Sequence, residues 1–282
     1  MATEYIKYFG MTETPFARNH DPKWLYLSTQ HKEAVIKTRW TMQEFSGLAL
    51  IRGDVGQGKS FLLEYLMTIW PHQYSWKCAK LQNTGTITSP RALIMGVCEA
   101  FGIATTGTAR EMLSRLEAWL LAQAFDAHQT VVLFIDEAQS MDAKAFPILR
   151  DLLNLATRDR ILLQIVMAAQ LNIDKKLTHY PALQSRIASV ATLEPLSREE
   201  SDLMLLHRLK RAGCENPLAI CPTDAMSAIH IHSGGVPRDI LVVTEMSMKE
   251  AFLQDASKLT PAHVEKAFGD LTGRRPRHAK VA

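Results

Sequence analysis

Gly53-Asp54-Val55-Gly56-Gln57-Gly58-Lys59-Ser60 is the stretch whose reading decides the fold of this chain. It meets the pattern G-x-x-x-x-G-K-[ST] at every fixed position. It lies between an apolar run, Leu48-Ala49-Leu50-Ile51, and a helix-like run, Phe61-Leu62-Leu63-Glu64-Tyr65-Leu66. Strand, loop and helix in that order are the context the pattern needs. The glycines let successive backbone N–H groups turn toward phosphate oxygens, and the following helix adds the positive end of its dipole. Lys59 is then expected to reach the β- and γ-phosphates of a nucleotide, and the Ser60 hydroxyl to ligate Mg²⁺. The expected cradle comprises Gly53, Asp54, Val55, Gly56, Gln57, Gly58, Lys59, Ser60 and Phe61.

The other half of such a site needs carboxylates at a strand end. Leu133-Phe134-Ile135-Asp136-Glu137 supplies two, at the close of the continuous apolar run that a buried parallel strand requires. Asp136 is expected to hold Mg²⁺ and Glu137 to orient and polarise the attacking water. Gln170 follows the apolar strand at 161–169, where a polar group could touch the γ-phosphate or the water. Arg238, after the turn Ser233-Gly234-Gly235-Val236-Pro237, could reach the phosphates of its own subunit. Arg186 precedes the last strand and could project toward a neighbour's γ-phosphate, with Arg158 and Arg160 as rivals for that role.

Working outward, the aromatic segment 1–27 reads as a strap that could grip a base or pack on the core. A helix follows over 28–45, capped by Ser28, then a strand at 48–52 and a helix at 59–69. A strand near Tyr74–Leu81 and a helix from Ser89-Pro90 to Phe101 come next. Thr108-x-x-Glu111 is a capping box that opens a helix over 109–125. Val131–Ile135 is a strand, 142–156 a helix, and a short strand lies near Val190–Leu193. A second capping box, Ser197-x-x-Glu200, opens a helix over 198–212, and the pattern is helical from there on. The expected fold class is α/β, a phosphate-loop core with a parallel sheet flanked by helices over 28–195. A small helical lid follows over 196–272, and a basic tail with no fixed structure over 273–282.

At 282 residues, 47% hydrophobic and 22% charged, the chain has the composition of a soluble globular protein. A net charge of +3 does not single out nucleic acid as a partner. The spacings of Cys78, Cys98, Cys214 and Cys221 match no zinc pattern, and a disulfide framework is not expected in a chain of this type. Without a signal peptide or a run of about 18 apolar residues, the expectation is a cytoplasmic protein without a membrane partner.

The phosphate loop, the acidic pair, the polar residue at 170 and the arginines at 186 and 238 together resemble the AAA+ ATPases. A closer resemblance runs along most of the chain. Tyr8-Phe9-Gly10-Met11-Thr12-Glu13-Thr14-Pro15-Phe16, Asp21-Pro22-Lys23-Trp24-Leu25-Tyr26-Leu27, Leu193-Glu194-Pro195-Leu196-Ser197-Arg198-Glu199-Glu200 and Gly234-Gly235-Val236-Pro237-Arg238 are similar to signatures of the ExeA-type family. That family includes a secretion-assembly ATPase and transposition regulators of the TnsC, TniB and MuB kind. Ala169-Gln170-Leu171 departs from the family's usual Gly-Gln-Pro, and Asp239 replaces its usual basic residue after the lid arginine. The secretion type usually carries a transmembrane segment and a wall-binding domain after the ATPase core. The sequence ends at Ala282 with neither, which favours the transposition regulators. The resemblance then implies slow, assembly-coupled hydrolysis of Mg²⁺-ATP. It implies homo-oligomeric rings (hexamer or heptamer) or filaments on double-stranded DNA, with a transposase and a target-selection protein as partners. The alternative is a secretion or envelope-assembly ATPase that does not act on DNA. DNA phosphates would be met by small polar groups between basic ones, and Lys80, Thr84 and Arg91 form such a group. The basic tail could also bind DNA.

Overall fold

The computed structural model describes residues 4–16 and 21–272, so the basic tail at 273–282 lies outside the described residues. Two compact units make up the chain. One gathers Thr29–Val55 and Lys59–Leu193; the other gathers Met1–Ser28, Gly56–Gly58 and Glu194–Ala282.

The first unit is built on a five-stranded, all-parallel sheet. Its strands are β1 (Leu48–Gly53), β2 (Lys77–Leu81), β3 (Val131–Ile135), β4 (Leu163–Ala169) and β5 (Ile187–Leu193), in the order β2-β3-β4-β1-β5. β3 and β4 are buried along their whole length, as strands covered on both faces must be. Successive residues of β3 serve opposite faces. Leu133 and Ile135 join a cluster with Leu93, Val97, Leu116, Leu120 and Phe146. Phe134 meets Trp70, from the helix Lys59–Tyr74, at 5.7 Å. Both faces are therefore packed with helix.

The capping box at Thr108 forms in full, and its helix runs over Ala109–Phe125. The continuous helix expected over 142–156 is instead a 3-10 turn, Ala143–Ala145, followed by a helix that ends at Leu153, Phe146–Leu153. The cause is local. The Asp142 side chain accepts from the Lys144 N–H and closes a separate turn, and Pro147 in the first turn of the helix sets its start.

β1 and β5 approach so closely at their ends that a Cβ on Gly53 would lie 2.4 Å from the Leu193 carbonyl oxygen. Gly53→Ala should therefore lower stability by about 2 kcal/mol, seen as a lower urea midpoint. An unchanged midpoint would show that the strands can part there at no cost.

The second unit is helical: Arg198–Arg211, Pro217–Ile220, Thr223–Ser233, Pro237–Leu253 and Pro261–Thr272. The N-terminal segment packs into it. The Thr12 N–H and hydroxyl both donate to the Ala212 carbonyl, at 2.8 and 3.1 Å. Arg208 donates to the Pro15 carbonyl at 3.0 Å and lies 5.9 Å from the Trp24 ring. Burial pushes its guanidinium down to about 10. Tyr5, Phe9, Phe16 and Trp24 are buried, while Tyr8 is exposed and meets Phe252 edge-on. Of the two uses open to these aromatics, packing accounts for all but Tyr8 and the half-buried Tyr26. No helix among the described residues is long and apolar enough to cross a membrane.

Candidate functional site

The loop after β1 turns on glycines. Gly56 and Gly58 have φ of 88° and 89°, a region closed to most side chains, so Gly58, fixed in the pattern, and Gly56, at a free position, both answer a backbone requirement. Asp54 and Val55 are exposed and Gln57 is buried, so one of the three intervening side chains is withdrawn from solvent. Lys59 opens the helix Lys59–Tyr74 and is itself buried. Its ammonium donates to the carbonyls of Gly53 and Asp54, both at 2.8 Å, and folds the loop onto the helix start. Phe61 follows on the same helix, half-buried. Arg238 is exposed at the beginning of Pro237–Leu253, and its backbone N–H donates to the Gly56 carbonyl at 3.2 Å. A Cβ on Gly56 would meet Val236 at 2.8 Å, so only glycine fits against this turn.

β4 separates β3 from β1 in the sheet, yet the end of β3 reaches the loop. Asp136 Oδ1 accepts from the Ser60 hydroxyl at 3.1 Å and from the Glu137 N–H at 2.9 Å. A serine hydroxyl beside a carboxylate is an oxygen donor set of the kind Mg²⁺ takes.

Glu137 holds a left-handed backbone, φ 50° and ψ 40°, which is costly outside glycine. Its carboxylate is fixed by two amides. Gln139 Nε2 donates to Glu137 Oε2, and Gln170 Nε2 faces the same oxygen at 3.4 Å. Gln139 Oε1 in turn accepts the Gln170 N–H at 2.9 Å. Gln139 is buried, and the Lys176 ammonium holds the carbonyls of Gln139 and Met141. Gln139 is the residue that sequence reasoning missed. Its role shows only when strand register brings Gln170 to the same oxygen.

Arg186 is exposed just before β5 and donates to Asn154 Oδ1 at 2.7 Å. Arg158 is also exposed. Arg160 is engaged by its own unit: it donates to the Ala124 carbonyl and lies 5.4 Å from the Phe45 ring and 5.6 Å from that of Phe125.

The group Lys80, Thr84 and Arg91 does not keep a common character. Lys80 Nζ donates to Glu64 Oε1 at 2.5 Å and lies 3.4 Å from Asp136 Oδ2, so its charge is directed at the site's own acids rather than at a nucleic-acid backbone. Burial pulls its ammonium down, but Glu64 and Asp136 outweigh burial and hold it above the usual lysine range. Thr84 is buried in the 3-10 turn Thr84–Thr86, and Arg91 alone is exposed.

With this geometry in hand, residues 44–177 match the family model described as the AAA domain. The chain's α/β fold, a five-stranded parallel sheet flanked by helices, matches that of solved AAA+ ATPases. General secretion pathway protein A of Aeromonas hydrophila is 30% identical over 275 residues, which is 96% of this chain and 49% of that protein. The chain thus spans about half of that relative's length, so the ending at Ala282 does not separate the secretion type from the transposition regulators. The fold is shared with the Aeropyrum pernix ORC2 protein, at a TM-score of 0.65 and 18% identity over 91% of this chain and 71% of that one. It is also shared with Drosophila ORC, solved bound to DNA, at a TM-score of 0.65 and 15% identity over 96% and 66%. The Thermotoga maritima RuvB Holliday junction branch migration motor matches at a TM-score of 0.59 and 14% identity over 87% and 70%. These likenesses speak to fold alone.

Proposed function

We propose that this chain is an ATP-hydrolysing assembly factor of the general secretion pathway protein A kind. One observation carries the chemistry: the Ser60 hydroxyl and Asp136 carboxylate meet at 3.1 Å beside a glycine loop closed by Lys59. The secretion assignment is supported by the 30% identity that extends over nearly the whole chain.

In this reading the loop N–H groups and Lys59 bind the triphosphate, Lys59 exchanging two carbonyls for phosphate oxygens. Ser60 and Asp136 hold Mg²⁺, which when bound screens the phosphate charge. Glu137 accepts a proton-bearing edge of water and aims the oxygen at the γ-phosphorus. Gln139 and Gln170 fix which carboxylate oxygen is free to do so. Arg238 answers to the nucleotide of its own subunit. Arg186, exposed, acts on that of a neighbouring copy in a homo-oligomer.

The transposition reading, assembly on duplex DNA with a transposase and a target-selection protein, is the second reading. It rests on the signatures quoted from the sequence. Its proposed DNA contacts lose Lys80, which is spent on Glu64 and Asp136.

The deciding experiment is phosphate release from Mg²⁺-ATP by the full chain, with and without duplex DNA, alongside co-sedimentation at two salt concentrations. Release that ignores DNA, with no nucleotide-dependent pelleting, is expected. Salt-sensitive pelleting that requires ATP would replace the secretion reading with the transposition one. Absence of any release would remove the ATPase assignment.

A further inference from the structure

Lys80 sits between two carboxylates, Glu64 and Asp136. Glu64 lies four residues beyond Ser60, so the two share one face of the helix Lys59–Tyr74. Lys80 and Asp136 come from the ends of neighbouring strands, since Lys80 pairs in register with Phe134 and Leu81 with Ile135. The result is a four-residue arrangement, Ser60–Asp136–Lys80–Glu64. Its hydroxyl and ammonium face opposite oxygens of Asp136: Ser60 Oγ is 3.1 Å from Oδ1, and Lys80 Nζ is 3.4 Å from Oδ2. Glu64 holds the ammonium more closely, at 2.5 Å. These side chains are largely buried, the Lys80 and Asp136 side chains being 18% and 15% exposed, so solvent screens their charges weakly.

We propose that Lys80 is a built-in counter-cation that sets the divalent-cation affinity of the nucleotide site, its charge shared between Glu64 and Asp136. This rests on the reading of Ser60 and Asp136 as the metal-holding pair. The physical argument is competition. An ammonium beside Oδ2 neutralises the carboxylate and repels a second cation, so the divalent ion gains less at Asp136 than it would at a bare carboxylate. Glu64 moderates the effect by drawing the ammonium toward itself. Lys80 is a positioning residue here, acting through Asp136 and touching no reacting atom.

The two members of the Lys80–Glu64 ion pair make opposite predictions. Lys80→Met removes the competing charge and should tighten divalent binding about tenfold. Glu64→Gln leaves the ammonium to Asp136 alone and should weaken it severalfold. The probe is Mn²⁺, followed by the electron paramagnetic resonance of the free ion, with the full chain and a non-hydrolysable ATP analogue. Analogue binding is measured separately in EDTA by fluorescence. The double variant E64Q/K80M, which removes one charge of each sign, covers the case in which K80M fails to fold. It should bind Mn²⁺ more tightly than the native chain. Equal Mn²⁺ affinities in the native chain and the foldable Lys80 variant would overturn the inference, as would shifts of the same sign in K80M and E64Q. Failure of the native chain to bind the analogue at all would instead overturn the underlying reading of the site.

Discussion

Glu137→Gln should abolish turnover while leaving the nucleotide bound. The carboxylate is held at one oxygen by Gln139 and Gln170, and an amide at 137 keeps an oxygen to accept from them. Shape and packing are preserved, and what is lost is the anionic group that polarises water. Removing a positioned general base costs about 10²–10⁴-fold, so phosphate release should fall into that range below the native rate. Affinity for a fluorescent ATP analogue should stay within twofold. Native-like release by the variant would show that another group activates the water, and the roles given to Gln139 and Gln170 would go with it.

Lys59→Met should have the converse signature: loss of binding itself. Lys59 is buried, and its ammonium is the only side-chain charge described as closing the loop onto Gly53 and Asp54. Methionine keeps the stem and removes the charge, leaving two carbonyls without their donor. That alone should cost about 1–3 kcal/mol. The decisive readout is the effect of nucleotide on melting. A ligand present at about 100 times its Kd adds about 2.7 kcal/mol to the native state. The native chain should gain that stabilisation with Mg²⁺-ATP, and the variant none at the same concentration. A variant that still gained several degrees would move the phosphate site away from this loop.

Much of the fold was legible because its signals are local. The capping box at Thr108 predicted a helix over 109–125 and the helix spans Ala109–Phe125; the apolar run Val131–Ile135 is β3 to the residue. The helix expected over 142–156 failed because apolar spacing is blind to Asp142 capping its own short turn. At the site, the loop and the acidic pair could be read from spacing, and the structure brings Ser60 and Asp136 together. Gln139, Glu64 and Lys80 could not. Their importance comes from strand register and helix phase, which unite residues 16 to 76 positions apart. Lys80 was grouped with Thr84 and Arg91 as a contact for DNA phosphates because sequence reports a charge and not its direction.

β5 has a consequence for what counts as the minimal working piece. It pairs along the whole of β1, the strand that ends in Gly53, and it carries the carbonyl that forbids a side chain there. Yet β5 falls beyond residue 177, where the family match stops, and the helix Thr29–Gln43 that packs on β5 falls before residue 44. A fragment cut at those limits would lay bare a central strand and leave its polar backbone unanswered along one side. The span by which the chain is recognised is shorter than the span by which it folds.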